Sequence, residues 1–225
     1  MLVNTQGTLN LLRLAQKHNA RFLFSSTSEV YGDPLVNPQP ETYQGNVSTT
    51  GPRSVYDEAK RFGETLGSYF VREKNLDART ARIFNTYGPQ MHPKDMRMVE
   101  SFILSAIKND PLNVFGDGTQ TRSLCYVSDT VSGLIKLMEY GEGKGAVVNI
   151  GSEEEHTVNE FAEIIIKLCD STSKISYTEK LPQDDPKIRR ADISRAKKLL
   201  DWSPTISLEK GLNETIEYIK NSKHQ

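Results

Sequence analysis

Apolar residues recur at helical spacing almost from the start of the chain: Leu9, Leu12 and Ala15 form one stripe of a helix expected over Thr8 to Lys17. The run Arg21-Phe-Leu-Phe-Ser-Ser is short, apolar and aromatic, which predicts a buried strand. A polar loop rich in Gly, Pro and Asn extends from Gly32 to about Arg53. A long helix is then expected from Ser54 to about Asn75, with Tyr56, Lys60 and Glu64 on one face at spacing four. Asp77-Ala-Arg-Thr-Ala-Arg-Ile-Phe alternates as a strand does, and strand, helix, strand in this order makes a parallel crossover unit.

Beyond Asn85 the texture changes. A Gly/Pro loop to Lys94 is followed by a helix over Val99 to Asn109, strands over Asn113 to Phe115 and Ser123 to Val127, a helix over Ser128 to Tyr140 and a strand over Ala146 to Ile150. Thr157 opens a helix with a capping box, because Glu160 falls three residues later. A strand near Lys174 to Tyr177 and helices from Asp192 to Leu200 and from Leu208 to Lys220 complete the pattern. The expected architecture is an α/β layer over residues 1–90 and a smaller mixed lobe over 91–225, with 123–150 returning to the first part.

Composition narrows the function classes. The 225 residues carry 28 Lys plus Arg against 29 Asp plus Glu, a net charge of −1, so no global field draws the chain to nucleic acid or an anionic membrane. Any anionic ligand has to be bound locally. Cys125 and Cys169 form no CxxC and have no clustered histidines beside them; His18, His92, His156 and His224 are scattered, so no metal site is suggested. A reducing, cytoplasmic setting is expected. The apolar stretch Phe161 to Leu168 contains Glu163 and Lys167 and falls far short of the ~20 residues of a membrane span, and the start has no signal-peptide pattern.

Gly141-Glu-Gly143-Lys-Gly145-Ala146 matches the letter of a dinucleotide fingerprint, but a helix precedes it and a strand follows, the reverse of what a pyrophosphate at a helix N-terminus requires. A helix end and loop explain it better. The stronger chemical signal is Tyr56-Asp-Glu-Ala-Lys60: at i and i+4 the phenol and the ammonium share a face, and a nearby cation favours phenolate as a base. Taken alone, the spacing also describes a solvated surface pair. Ser25-Ser-Thr-Ser-Glu-Val-Tyr-Gly32, however, puts hydroxyls and one carboxylate at the C-terminal end of the preceding strand, where open α/β sheets bind ligands.

Together with Arg82-Ile-Phe-Asn-Thr-Tyr-Gly-Pro89 and Gly116-Asp-Gly-Thr-Gln-Thr-Arg122, these strings resemble the extended short-chain dehydrogenase/reductase family that acts on nucleotide-sugars, over nearly the whole chain. The resemblance implies a Rossmann-like doubly wound parallel sheet, here without its N-terminal strands and the glycine-rich half of the cofactor site, so that the chain is expected to be N-terminally truncated. Within the family the pattern is most similar to the UDP-glucuronate decarboxylase group. Thr27-Ser28-Glu29, Glu155-His156-Thr157, and Asp184-Asp185-Pro186 followed by Arg189-Arg190 carry that choice. A dTDP-glucose 4,6-dehydratase has Asp at the Ser28 position, and a 4-epimerase usually has an uncharged residue where Glu29 stands; both remain alternatives. Arg189-Arg190-Ala191 departs from the group's Arg-Lys-Pro, which leaves the basic residue open by one position.

By resemblance, Tyr56 with Lys60 removes the C4 hydroxyl proton while hydride passes to NAD, Thr27 orients that hydroxyl, Ser28 and Glu29 bracket the sugar carboxylate, and Arg189 assists protonation at C5. Tyr56 and Lys60 also contact the cofactor. Asn85, Arg97, Gln120 and Arg122 are the residues to which the resemblance assigns the substrate diphosphate and uridine; arginine suits phosphate through its two-pronged hydrogen bonding. Tyr126, four residues after Arg122, either borders the same pocket or is a buried structural tyrosine. The family also implies a homodimer through the helices of residues 4–17 and 54–75, and a Golgi location for a longer, anchored eukaryotic form. A catalytically silent chain acting as a binding partner is the reading from another class.

Overall fold

The computed structural model describes residues 1–91, 97–180 and 186–222. A π-helical turn over Val3–Gly7 leads into α1 (Thr8–Lys17), whose buried side is the expected stripe of Leu12 and Ala15. β1 (Phe22–Thr27), a 3-10 turn over Ser28–Tyr31, a long loop, α2 (Ser54–Lys74) and β2 (Ala78–Ile83) follow. Then come β3 (Thr86–Tyr87), α3 (Met98–Lys108), β4 (Leu112–Phe115), β5 (Thr121–Ser123), β6 (Cys125–Tyr126) and α4 (Val127–Glu139). β7 (Val147–Ile150), β8 (Glu155–Thr157), α5 (Val158–Leu168), β9 (Ile175–Glu179), α6 (Ser194–Leu200) and α7 (Leu208–Asn221) complete the order.

β1, β2 and β7 form a parallel sheet in the order β1-β2-β7. The period of two along β2 decides which helix covers which face. Ala78 joins Leu12, Phe70 and Leu76 in one apolar cluster and Arg82 reaches Glu64, so that face meets α1 and α2. Arg79 and Ala81 point the other way: the Arg79 guanidinium donates to the Leu137 and Met138 carbonyls at the end of α4, and Ala81 packs beside Leu137, Val148, Ile150 and Trp202. Both faces are covered, the doubly wound arrangement expected of a buried parallel sheet. The Gly141 to Gly145 stretch is the loop between α4 and β7, as its context predicts.

The second body is built on α3, α5 and α7, whose Phe102, Ile103, Phe161, Ile165, Leu212 and Ile216 bury one another beside the parallel pair β4 and β9. Thr157 caps α5 in a reciprocal box with Glu160, as the spacing predicts. The single strand expected over Ser123 to Val127 is two: β5 pairs antiparallel with β8, β6 pairs parallel with β3, and Val127 already belongs to α4. β3 and β8 escape the sequence because two or three residues carry too little periodicity to read. Ala191, Ile193, Ala196, Leu200 and Trp202 pack against the sheet beside β7 and α4. Asp184, Asp185, His92 and His224 lie outside the described residues.

Candidate active site

The C-terminal end of β1 sets the site. Thr27 leaves the strand in extended backbone, and its hydroxyl accepts a hydrogen bond from the Glu29 amide at 3.3 Å, capping the 3-10 turn that follows. Gly32 ends that turn at φ +64, where a Cβ would lie 1.9 Å from the Asn46 carbonyl oxygen, so only glycine fits. The turn presents Glu29 to two guanidiniums. Arg189 Nη1 donates to its Oε1, and Arg53 Nη2 donates to its Oε2 at 2.5 Å. Burial by itself would raise the Glu29 carboxyl, but the charges and hydrogen bonds of Arg189 and Arg53 outweigh it and hold the group below the ordinary value.

Helix α2 brings Tyr56 and Lys60 to one side, as their spacing predicts. The Lys60 ammonium donates to the Ser25 carbonyl at 2.8 Å and stands 5.8 Å from the centre of the Tyr56 ring, and burial lowers its pKa. Glu64, one turn further along the same face, pins the helix to the sheet: it accepts from Ser26 at 2.6 Å and from Arg82 at 2.8 and 3.0 Å. Asp57, the residue after Tyr56, is 5% exposed, and its Oδ1 is buried with no hydrogen-bond partner. Burial first, and the Glu29 charge second, raise its carboxyl to about 6 against the pull of Arg53 and Arg189.

These groups surround one cavity of about 600 Å³ at the C-terminal edge of the sheet. Thr27, Ser28, Glu29, Tyr56, Lys60, Asn85 and Arg97 all line it. A second cavity of about 150 Å³ shares Asn85 and Arg97 and adds Arg122. Three sequence candidates stand off these walls. Arg189 lies behind Glu29, its side chain 4% exposed, and reaches the site through that carboxylate. Gln120 is buried, donates to the Phe115 carbonyl at 3.0 Å and leaves its Oε1 without a partner. Tyr126 donates its hydroxyl to Glu214 at 2.6 Å and packs edge-on against Tyr87; burial and the Glu214 carboxylate push its pKa up to about 12. Tyr126 is buried.

The two arginines of the basic pair meet different carboxylates. Arg189 reaches Glu29, whereas Arg190 faces Glu155, at 3.7 Å. Sequence reasoning misses Arg53 and Asp57. Their one sequence signal is a spacing of four, one turn of α2, the same as that between Tyr56 and Lys60.

A sequence model of the family described as GDP-mannose 4,6 dehydratase matches residues 1–215. The chain is 49% identical over 223 residues to UDP-glucuronic acid decarboxylase 1 of Danio rerio, covering 99% of this chain and 53% of that protein. It is 51% identical over 209 residues to UDP-glucuronic acid decarboxylase 3 of Arabidopsis thaliana, covering 93% of this chain and 60% of that one. The chain therefore spans little more than half the length of these relatives. Among solved structures, UDP-glucuronic acid 4-epimerase from Bacillus cereus, in complex with UDP-glucuronic acid and NAD, superposes with a TM-score of 0.88 at 30% identity, over 97% of this chain and 68% of that one.

Proposed function

Because this chain belongs to the family described as GDP-mannose 4,6 dehydratase, we propose that it serves the NAD-dependent decarboxylation of UDP-glucuronate to UDP-xylose. The observation that carries this reading is Glu29, held by two arginines on the wall of the cavity that Tyr56 and Lys60 also line. The residues present fit one end of NAD: Lys60 and Tyr56 stand at the C-terminal edge of a parallel sheet, the edge at which such sheets take nucleotides. NAD, when bound, supplies the acceptor that takes hydride from C4 and later returns it.

The rest falls to the chain's own side chains. Tyr56 removes the C4 hydroxyl proton, with the Lys60 ammonium favouring its phenolate, and the Thr27 hydroxyl orients the group. Once C4 is a ketone, the C5 to C6 bond breaks with loss of carbon dioxide, and its electron pair is delocalised into the C4 carbonyl. Ser28 and Glu29 bracket the departing carboxylate, and a proton reaches C5 from the side held by Glu29 and Arg189. Asn85, Arg97 and Arg122 are proposed for the diphosphate, with Gln120 nearer the nucleoside.

We also propose a homodimer through residues 4–17 and 54–75. Leu11 and Leu14 of α1 and Val55, Phe62 and Tyr69 of α2 are large apolar side chains exposed to solvent. Light scattering on the eluting protein tests this. Among the described residues no helix is long and apolar enough to cross a membrane. A cytoplasmic setting for this chain is part of the same proposal, supported by the two free thiols Cys125 and Cys169.

The chemical test is product analysis with NAD and UDP-glucuronate. UDP-xylose with an equivalent of carbon dioxide is expected. The C4 epimer of the substrate would mark an epimerase, a 4-keto-6-deoxy sugar from dTDP-glucose a dehydratase, and nucleotide-sugar binding without turnover a silent partner.

A further inference from the structure

Arg189 meets Glu29 from a segment that is held along both edges. Residues 187–192 run between β5 on one side and the loop around Gln39 on the other. The Lys187 carbonyl accepts from the Thr121 amide at 2.9 Å, and the Arg189 carbonyl accepts from the Ser123 amide at 3.2 Å and the Ser123 hydroxyl at 3.3 Å. On the opposite edge the Gln39 amide donates to the Arg190 carbonyl at 2.9 Å, and the Asp192 amide donates to the Gln39 carbonyl at 3.1 Å. The bonds alternate along the segment as those of a strand between two neighbours do.

Gln39 does more than pair its backbone. It is fully buried, and its side-chain amide uses both ends: Oε1 accepts from the Arg190 amide at 3.0 Å, and Nε2 donates to the Val36 carbonyl at 2.7 Å. Among side chains of this length only glutamine supplies an acceptor and a donor without charge. The Gln39 carbonyl also accepts from Asn149 Nδ2 at 2.9 Å, and the same nitrogen donates to the Asp192 carbonyl at 3.0 Å, which ties loop and segment to β7. The described residues of the main cavity wall include Glu29 but neither Gln39 nor Ser123. A substrate there meets Glu29, not the residues that set Arg189 behind it.

We propose that Gln39 is a positioning residue for the reaction: its side chain, with Ser123 on the opposite edge, fixes the segment that carries Arg189 and so sets the guanidinium on Glu29. The inference rests on the functional reading above and adds to it the residues that hold the proton-delivering side of the site in register. The Arg189 guanidinium donates to Glu29 and, at 3.4 Å, to the Gly32 carbonyl. A group at a reacting centre has to be held to within about 0.5 Å by what surrounds it. Residues 187–192 lie outside the helices and strands, so the bonds along their two edges supply the rigidity that an element's own ladder would give.

NMR of isotope-labelled arginine side chains in the intact chain tests it. Hydrogen exchange at the Arg189 guanidinium is compared with that at Arg79, a buried guanidinium held by the Leu137 and Met138 carbonyls near the opposite end of β2 from the site. Gln39→Met keeps the volume and the backbone bonds but loses the side-chain tie to Arg190. It should speed exchange at Arg189 about fivefold or more, the range of one buried hydrogen bond, and leave Arg79 within about twofold. Ser123→Ala, a smaller change on the other edge, should speed Arg189 about threefold and decides the matter should the methionine variant not fold. With NAD and UDP-glucuronate, either variant should lower kcat about threefold or more and leave KM within about twofold, because both residues act behind the substrate. Unchanged exchange at Arg189, equal acceleration at Arg79, or an unchanged kcat overturns the inference while the functional reading stands. If the unsubstituted chain makes no UDP-xylose, the reading falls and the inference with it.

Discussion

Two polar clusters hang from helix α2, about two turns apart, and they are finished differently. In the first, Ser26, Arg82 and Asn149 lie opposite one another on β1, β2 and β7, in one row across the sheet. Glu64 binds the first two, and the Tyr31 hydroxyl accepts from Arg82 at 2.9 Å and donates to Asn149 at 2.8 Å. Burial pushes the Tyr31 phenol up to about 12, so it stays a donor at any working pH. The second cluster, Glu29, Arg53, Arg189 and Asp57, leaves a buried carboxylate oxygen without a partner and opens on a cavity. A saturated network fixes elements in place, and an unsaturated one keeps capacity for a ligand or a proton. The first holds α2 on the sheet so that the second, with Tyr56 and Lys60, stands where chemistry can use it.

The largest expected effect comes from breaking the saturated network. Arg82→Met leaves Glu64 without its cation and the Tyr31 hydroxyl without its donor, and should cost about 3–5 kcal/mol in urea unfolding. Arg189→Met should cost less, about 1.5–3 kcal/mol, because Arg53 still holds the Glu29 carboxylate. Equal losses in the two variants would remove the distinction drawn between the clusters. Gly32→Ala sharpens it locally. It forces a side chain into a left-handed turn and against the Asn46 carbonyl, and should cost about 1–3 kcal/mol with the α2 network untouched. Equilibrium unfolding of that variant checks the figure.

What the sequence made legible divides along the same line. The helices α1 and α2, the α5 cap and the three parallel strands follow from stripes, spacing and alternation, all local. The spacing of Tyr56 and Lys60 on one helix face and the place of Glu29 after a strand end are local signals of the same kind, and the resemblance adds the roles. The Glu29 ion pairs join positions 24 and 160 residues apart, and no periodicity reports a contact at that separation. The same limit explains why Arg189 and Arg190 could not be told apart by spacing: adjacent residues differ only in which of two distant carboxylates each meets. Arg53 and Asp57 are polar positions at the start of an amphipathic helix, where the expectation is a solvated face. Only the turn over Ser28–Tyr31, folded back onto α2, turns them inward.

The smallest expected effect is the most discriminating, because its sign is unusual for a charged residue. Asp57 has its carboxyl raised to about 6 in the folded chain, by burial and then by Glu29, from an ordinary value of 3.8. Between these values the folded state keeps a proton that the unfolded state has released, so stability falls as pH rises from about 4 to about 6 and is level above that. Glu29, with its carboxyl lowered, contributes in the opposite direction at more acidic pH, so the informative quantity is the difference between the unsubstituted chain and Asp57→Asn at each pH. That difference should be near zero at pH 4 and reach about 1–2 kcal/mol in favour of the asparagine variant by pH 7, below the full linkage value because solvent screens part of the charge. Urea unfolding across this range measures it. A variant less stable than the parent at pH 7 would mean that the Asp57 carboxylate is paired and stabilising, and the contrast between a saturated and an unsaturated cluster would disappear.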